Sequence, residues 1–235
     1  MESQNLSFSS LKKSDKRVIV GVDEAGRGPV IGYMVYCVMV FEVDNVPKNL
    51  KDSKMLTEKM RNDIFVTLKD YNYAYTALHP SYITTKMLSN VNLNDISWNT
   101  VLNLLKLVCN AYTNIEGIFI DAIGTCDKLK EFLELNIKHK CTVESKADSK
   151  YPVVSGASIV AKVTRDDLLS KFNISFGSGY PSDPVTKKWL TKEVNYIFGW
   201  GKSVRYTWNT AKNILGYNKS KKFTRRLSGF YVHAY

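Results

Sequence analysis

Alternating apolar and polar segments divide the chain into short strands and longer amphipathic helices. Five segments rich in β-branched and aromatic residues predict strands at residues 17–23, 33–41, 71–78, 117–121 and 141–144. Apolar positions spaced three or four apart predict helices at residues 57–68, 95–112, 127–135, 154–172, 185–196 and 207–215, and a further helix after Pro80. Three successive strands, followed by alternating helices and strands, predict an α/β fold with a five-stranded mixed sheet flanked by helices.

The two ends of the chain differ in composition from the part between them. Residues 1–16 are polar and rich in Ser and Lys, which predicts a disordered leader before a single domain at residues 17–200. Residues 201–235 contain no acidic residue, so we expect a basic C-terminal extension there, made of a helix and a tail. Its basic residues are Lys202, Arg205, Lys212, Lys219, Lys221, Lys222, Arg225 and Arg226.

The net charge of +11 indicates a polyanionic partner, and most of it comes from this extension. An electrostatic footprint for nucleic acid explains such a cationic end, and so does a solvated tail. The four cysteines have neither a C-x-x-C spacing nor a zinc pattern, which predicts reduced thiols in a cytosolic or nuclear protein. The longest apolar run, Met34 to Phe41, is far shorter than the ~20 residues that span a bilayer, so we expect no membrane partner.

Carboxylates are concentrated where the predicted strands end. Asp23 and Glu24 end the first strand, Asp121 ends the fourth, and Asp148 follows the fifth. If these strands are neighbours, four carboxylates converge at one end of the sheet, where they repel one another unless they bind cations. Hard oxygen ligands favour Mg²⁺ or Mn²⁺, and two such ions ~4 Å apart activate water and stabilise the leaving oxygen of a phosphodiester.

The adjacent pair Asp23 and Glu24 needs a particular backbone to serve one site. Neighbouring residues of a regular strand point to opposite faces, so both reach one site only if the chain bends there. Gly26 and Gly28 permit a bend and let backbone N–H groups approach a ligand closely. A glycine turn with two solvated acids is the alternative interpretation.

Six segments in order resemble the type 2 ribonuclease H family, also called ribonuclease HII. They are DEAGRGPV at 23–30, DSK at 52–54, IDAIG at 120–124, KADSKYPVVS at 146–155, ASIVAKVTRD at 157–166 and GSGYPSDP at 177–184. The similarity extends from Val18 to Leu215 and is greatest to the archaeal enzymes and to the catalytic subunit of the eukaryotic ones. It implies a ribonuclease H-like fold for the catalytic domain at residues 17–200.

The resemblance implies an endoribonuclease that hydrolyses RNA in RNA–DNA hybrids and incises 5′ of single ribonucleotides in duplex DNA. Its products would carry 5′-phosphate and 3′-hydroxyl ends. By motif, the catalytic residues and ligands of two Mg²⁺ or Mn²⁺ ions would be Asp23, Glu24, Asp121 and Asp148. A catalytically silent hybrid-binding subunit is the alternative function.

The same motifs imply a set of substrate-binding residues: Gly26, Arg27, Gly28, Ser53, Lys54, Lys162, Arg165 and Tyr180. The segment 26–28 would read the ribose 2′-hydroxyl through backbone groups, and Tyr180 would pack on that sugar. The remaining four would hold phosphates. A solvated helix face explains Lys162 and Arg165 about as well.

The C-terminal end carries Leu227, Phe230 and Tyr231 at the spacing of a sliding-clamp-binding peptide, with Thr224 where the leading glutamine stands in such peptides. A tail that docks on its own domain or on a partner protein is the alternative. The resemblance also implies either a heterotrimer with two accessory subunits, as in eukaryotes, or an archaeal monomer. The eukaryote-like motifs and the basic tail predict a nuclear location, with the cytoplasm as a second one.

Overall fold

A mixed sheet forms the centre of the molecule, whose computed structural model describes residues 5–47, 50 and 56–216. The strands are β1 (Leu6–Ser9), β2 (Val18–Ala25), β3 (Met34–Glu42), β4 (Asn72–Leu78), β5 (Ile115–Asp121) and β6 (Cys141–Glu144). The helices are α1 (Glu58–Leu68), α2 (Pro80–Leu88), α3 (Leu93–Ala111), α4 (Cys126–Ile137), α5 (Ala147–Lys150), α6 (Pro152–Ser170), α7 (Pro184–Glu193) and α8 (Asn209–Ile214). The predicted α/β fold with a mixed sheet is confirmed.

The strand order is β1-β4-β3-β2-β5-β6. The first three pairings are antiparallel, whereas β2 pairs with β5 and β5 with β6 in parallel. Within the described residues the sheet therefore has six strands, and the prediction of five was one too few. The parallel half matters most for the site, because it brings the carboxyl ends of β2, β5 and β6 to one end of the sheet.

The additional strand is β1, which lies inside the segment predicted to be a disordered leader. Its residues pair with β4, and the ring of Phe8 packs on Tyr73 and Tyr75 with centroid distances of 5.2 and 5.6 Å. Ser10 Oγ continues the contact by donating a hydrogen bond to the Tyr73 carbonyl at 3.1 Å. The prediction of disorder was wrong over these residues, because cross-strand aromatic packing outweighs their polar composition.

Helices cover both faces of the sheet. On one face, which we call the α3 face, α2, α3 and α4 pack on the apolar side chains that include Val22 and Ile120. On the other, the α6 face, α6 and the end of α1 pack on the side chains that include Cys37 and Met39. In the described part of the chain, no helix is long and apolar enough to cross a membrane. The two apolar layers hold the strands rigid, which fixes the groups at their ends.

A third apolar cluster joins the C-terminal part of the described chain to the loop after β2. Val204 and Leu215 pack in it with Val30 and Ile31. The core thus continues across the predicted domain boundary at residue 200. The sequence analysis counted Arg205 among the basic residues of the C-terminal extension. Its side chain is fully buried in this region, so it does not contribute to a positively charged surface for nucleic acid. That expectation was wrong for Arg205, because charge counting cannot separate buried from exposed cations.

Candidate active site

Two parallel strands place Asp23 and Asp121 side by side at one end of the sheet. The residues that immediately precede them are paired in the parallel register of β2 and β5. The backbone N–H of Ala147 donates a hydrogen bond to Asp121 Oδ1 at 2.9 Å. This bond attaches α5, which carries the buried Asp148, to the same end of the sheet. The structure therefore brings the chain segments of these three aspartates together.

Asp23 and Glu24 point to opposite faces of β2. The strand pairs regularly with β3 through Ala25, so the bend that the sequence analysis required for both acids to serve one site is absent at this pair. Both carboxylates nevertheless interact electrostatically with Asp121. The neighbouring strand, rather than a bend, connects the two acids.

Each of the two acids has its own set of partners. Asp23 is hydrogen-bonded to Ser158 and interacts electrostatically with Lys162, and both of these partners lie on α6. On the α3 face, Glu24 Oε2 is 3.9 Å from Arg27 Nη1. The partners of Asp23 thus lie on the α6 face of the sheet, whereas Glu24 faces the glycine turn and α3.

Burial disfavours the ionised forms of Asp23 and Glu24 in the absence of a cation. Burial is the largest cause that raises the pKa of Asp23 to about 7, with a further contribution from Asp121 and an opposing hydrogen bond from Ser158. Burial likewise raises the pKa of Glu24 to about 7, again with a contribution from Asp121, while Arg27 favours the charged form. Perturbation of this size, in neighbouring carboxyl groups, is typical of functional sites.

The donor chemistry of this cluster fits a hard divalent cation. The buried Glu24 Oε2 has no hydrogen-bond partner among the described residues. In the described structure no group of three or more His, Cys, Asp or Glu side chains is arranged to hold a metal ion, and the assignment of the four carboxylates as ligands stays a prediction. Charged carboxylates that lie close together repel one another. A cation would offset that repulsion and give Glu24 Oε2, which has no hydrogen bond, a ligand contact.

The side chain of Arg27 is anchored on α3. Its Nη1 donates to Ser97 Oγ at 2.8 Å and its Nη2 to Asn94 Oδ1 at 2.5 Å. The hydroxyl of Tyr36 also hydrogen-bonds Ser97 Oγ, at 2.6 Å. The guanidinium is thus engaged by α3, and the predicted contact of Arg27 with a ligand through its backbone stays a prediction.

Tyr180 lies directly against the glycine turn. A Cβ atom placed on Gly28 would approach the Tyr180 ring to 3.1 Å, so the absence of a side chain at this position lets the ring come close. The Arg165 guanidinium lies 5.8 Å from the centroid of the same ring. The structure thus brings together Gly28, Arg165 and Tyr180, which the sequence motifs placed far apart along the chain.

The two basic residues of α6 do not form a solvated helix face. Lys162 lies near Asp23 and is half-buried. The side chain of Arg165 is only 12% exposed, and its Nε is buried without a hydrogen-bond partner in the described structure. The position of Lys162 near Asp23 and that of Arg165 against the Tyr180 ring favour the phosphate-binding interpretation of these residues over the solvated one.

Asp183 is a residue of the site region that the sequence analysis did not single out. Its Oδ2 accepts hydrogen bonds from Ser178 N and Ser178 Oγ, both at 2.7 Å, and its Oδ1 accepts one from Val185 N at 2.8 Å. These bonds hold the pKa of Asp183 well below its usual range. The loop is joined to the glycine turn by Val30 N, which donates to Gly179 O at 2.8 Å. Asp183 therefore fixes the loop that carries Tyr180, and an Asp directly before Pro184 at a helix start is the signal that could have found it.

Five of the predicted site residues lie outside the described part of the chain. They are Ser53, Lys54, Leu227, Phe230 and Tyr231. Their roles stay predictions.

Comparisons with known proteins agree with the family resemblance of the sequence motifs. The family model for ribonuclease HII matches residues 20–211. The A subunit of ribonuclease H2 from Bos taurus is 38% identical over 217 residues, which cover 84% of this chain and 73% of that protein. The crystal structure of ribonuclease H2 from Pyrococcus horikoshii OT3 superposes with a TM-score of 0.75 at 35% identity, over 86% of this chain and 100% of that one.

A second solved structure is that of the PCNA:RNase HII complex from Archaeoglobus fulgidus. Its matching chain is 28% identical, with a TM-score of 0.69 over 83% of this chain and 96% of that one. The family model covers most of the chain, and the bovine relative is matched over more than two thirds of its length. The chain therefore belongs to the ribonuclease HII family and is a ribonuclease H, a hydrolase that acts on RNA–DNA hybrids.

Proposed function

We propose that the chain is a metal-dependent endoribonuclease that also incises DNA duplexes 5′ of single embedded ribonucleotides, leaving 5′-phosphate and 3′-hydroxyl ends. The observation that carries this proposal is the contact of the Tyr180 ring with Gly28, in a turn that directly follows the carboxylates of β2. A site that recognises the sugar of one nucleotide beside the reacting phosphate does not need a tract of several ribonucleotides. Because the 2′-hydroxyl distinguishes RNA from DNA at one nucleotide, this contact supports single-ribonucleotide recognition.

Four carboxylates are assigned to hold two Mg²⁺ or Mn²⁺ ions: Asp23, Glu24, Asp121 and Asp148. When bound, such ions activate a water molecule and stabilise the leaving oxygen of the phosphodiester. The role of the chain is to supply hard oxygen ligands from rigid strand ends and from α5. Burial of Asp23 and Glu24 supports the assignment. Burial disfavours their charged forms, and a bound cation stabilises those charged forms.

Substrate binding is assigned to groups on either side of these carboxylates. The backbone of Gly26, Arg27 and Gly28 reads the 2′-hydroxyl, while the ring of Tyr180 supports the sugar. Phosphates are held by Lys162 and Arg165, together with Ser53 and Lys54. The half-buried Lys162 beside Asp23 supports this part, since a cation there is placed to contact the phosphate next to the reacting one.

A set of three labelled duplexes tests this function. They share one sequence and contain an RNA–DNA hybrid strand, a single ribonucleotide in DNA, or DNA alone. The proposal predicts Mg²⁺-dependent cutting of the first two, one incision 5′ of the single ribonucleotide, and a 3′-hydroxyl that a polymerase extends directly. Cutting of the hybrid alone would contradict the single-ribonucleotide activity and leave the family membership intact.

Accessory proteins are a further part of the proposal. Relatives of this chain bear the name of one subunit of ribonuclease H2, and the solved structure of RNase HII from Archaeoglobus fulgidus is a complex with PCNA. We therefore assign to this chain two accessory subunits and a sliding clamp that contacts Leu227, Phe230 and Tyr231. Titration of a peptide of residues 216–235 into the clamp of the same organism tests the second assignment, and absence of binding would contradict it.

The cellular location of the chain is proposed to be the nucleus, with the cytoplasm as a second location. The basic C-terminal residues and the acidic partners that this charge favours support it. Imaging of the tagged full-length chain in its own cells tests the assignment, and exclusion from the nucleus would contradict it.

A further inference from the structure

Arg205 binds the carbonyl groups of the glycine turn from inside the protein. Its side chain is fully buried. Its Nη2 donates to Gly26 O at 2.7 Å, its Nη1 to Arg27 O at 3.2 Å, and its Nε to Gly32 O at 2.9 Å. All three hydrogen bonds of this guanidinium in the described structure therefore end on carbonyl oxygens of one loop. Burying a charged guanidinium costs desolvation free energy. Because all three of these hydrogen bonds go to one loop, we infer that this loop has to be held in a defined conformation.

Trp208 binds the same turn at its next carbonyl group. Its indole Nε1 donates to Gly28 O at 3.0 Å. The Arg205 guanidinium lies over the indole, 4.9 Å from the ring centroid, so the two side chains support one another. Together, Arg205 and Trp208 form what we call the loop-holding pair, and they engage three consecutive carbonyls at Gly26, Arg27 and Gly28.

The direction of these carbonyls determines the direction of the N–H groups. Peptide bonds in the described chain are all trans, so each carbonyl and the N–H of the next residue point in opposite directions. Carbonyls of Gly26 and Arg27 that face the loop-holding pair therefore turn the N–H groups of Arg27 and Gly28 away from it. The Tyr180 ring lies against Gly28 in the same turn, 3.1 Å from the position that a Cβ atom would take there.

We propose that Arg205 and Trp208 are positioning residues that set the discrimination between a ribonucleotide and a deoxyribonucleotide. They do so by fixing three consecutive peptide planes, Gly26–Arg27 and Arg27–Gly28 through Arg205 and Gly28–Pro29 through Trp208. The first two planes carry the N–H groups of Arg27 and Gly28 that are aimed at the 2′-hydroxyl beside Tyr180, and the third fixes the orientation of Gly28 between them. This inference rests on the proposed function, because it assigns the accuracy of sugar recognition to residues that do not touch the sugar.

The most direct test is Trp208→Phe, which keeps an aromatic ring under Arg205 and removes the donor to Gly28 O. Its matched control is Trp200→Phe. Trp200 lies in the same apolar cluster, and its Nε1 donates to Leu190 O at 2.8 Å, a carbonyl outside the turn. Both variants lose one indole hydrogen bond to a backbone carbonyl, but only one of those carbonyls belongs to the glycine turn.

The readout is the ratio of two constants measured with Mg²⁺ under turnover. One is the inhibition constant of an all-DNA duplex, and the other is the KM of the same duplex with one ribonucleotide. We expect Trp208→Phe to lower this ratio about fivefold, the factor that corresponds to one hydrogen bond, whereas Trp200→Phe lowers only the melting temperature. Arg205→Lys replaces the three separate nitrogens that reach the carbonyls of Gly26, Arg27 and Gly32 by a single one, and it is expected to lower the ratio on the order of thirtyfold.

Two outcomes would overturn the inference, and they are distinguishable. If the wild type prefers the ribonucleotide duplex and Trp208→Phe retains the full ratio, the positioning role is wrong while the proposed function stands. If the wild type itself shows no preference, the proposed function fails and this inference fails with it. Should Arg205→Lys not fold, the comparison of Trp208→Phe with Trp200→Phe still decides the question.

Discussion

Asp121 lies beside Asp23 on the neighbouring parallel strand, and its charge contributes to the raised pKa of Asp23. The same aspartate interacts with Glu24 on the opposite face of β2. It also accepts a hydrogen bond from the backbone N–H of Ala147, which directly precedes Asp148 in the chain. Asp121 is thus the common neighbour of the other three carboxylates, and the account of the site depends on this position.

The raised pKa values predict how the stability of the metal-free protein depends on pH. Asp23 and Glu24 have folded pKa values of about 7, above the values of 3.8 and 4.5 that they have when exposed. The folded state keeps protons that the unfolded state has released, so this contribution is fully present below about pH 4 and is lost as pH rises through about 7. We expect the melting temperature in EDTA to fall between pH 5 and pH 8, and calorimetry measures it.

Asp23→Asn supplies the comparison for that prediction. The amide cannot ionise, so the variant should have a flatter pH profile and a higher melting temperature than the wild type at pH 8 without metal. Added Mg²⁺ should reverse the order, because it favours the ionised carboxylates of the wild type. Identical pH profiles for the two proteins would contradict the assignment of these pKa values.

Tyr180→Phe separates the ring of Tyr180 from its hydroxyl group. The ring would keep its contacts with Gly28 and Arg165, so we expect an unchanged melting temperature. Loss of a hydrogen bond near the 2′-hydroxyl should lower kcat/KM on the single-ribonucleotide duplex by about tenfold. Tyr196→Phe, at a tyrosine that is 65% exposed, is the control. Equal activity of the two variants would show that the hydroxyl of Tyr180 plays no part.

Asp183→Asn tests the loop that carries Tyr180. The folded pKa of Asp183 is depressed, so its stabilising contribution is present above its ordinary pKa and is lost as pH falls. We expect the variant to melt below the wild type at pH 7 and the difference to close between about pH 5 and pH 2. Asp63→Asn, an exposed position on α1, should match the wild type throughout. A difference that is independent of pH would contradict the role of the charge.

Gly21 marks the close approach of β2 to the start of α6. A Cβ atom at Gly21 would lie 2.3 Å from both the carbonyl carbon and the carbonyl oxygen of Val153. We expect Gly21→Ala to reduce the free energy of unfolding by about 3 kcal/mol, because one backbone segment has to move. Gly201→Ala is the control, since no atom lies within 4 Å of its Cβ position. Denaturant unfolding measures both, and equal losses would contradict the close approach.

The parallel half of the site could be anticipated from the sequence. Two apolar strands end in carboxylates at Asp23 and Asp121, and such strands are buried and have neighbours in a sheet. The arrangement of Asp23 and Glu24 could not be anticipated. A bend and a regular strand are equally compatible with glycines that follow, and only the pairing with β3 decides between them.

Contacts between distant parts of the chain account for what the sequence did not reveal. Strand β1 exists because Phe8 meets Tyr75 on β4, a pairing that local composition does not encode. Arg205 is one of eight basic residues between Gly201 and Tyr235, and its partner Gly32 lies 173 positions earlier. Nothing in the sequence of the extension distinguishes this arginine from the other basic residues there.

The central claim is that the carboxylates around Asp23 and Asp121 cleave DNA at a single ribonucleotide. A labelled duplex with one ribonucleotide, incubated with Mg²⁺ and any accessory subunits that the chain requires, tests it with wild type and Asp23→Asn side by side. We predict one incision 5′ of the ribonucleotide by the wild type, and a rate at least about a thousandfold lower for Asp23→Asn at similar KM. An intact duplex with the assembled wild type, or cleavage by Asp23→Asn at the wild-type rate, would contradict the account.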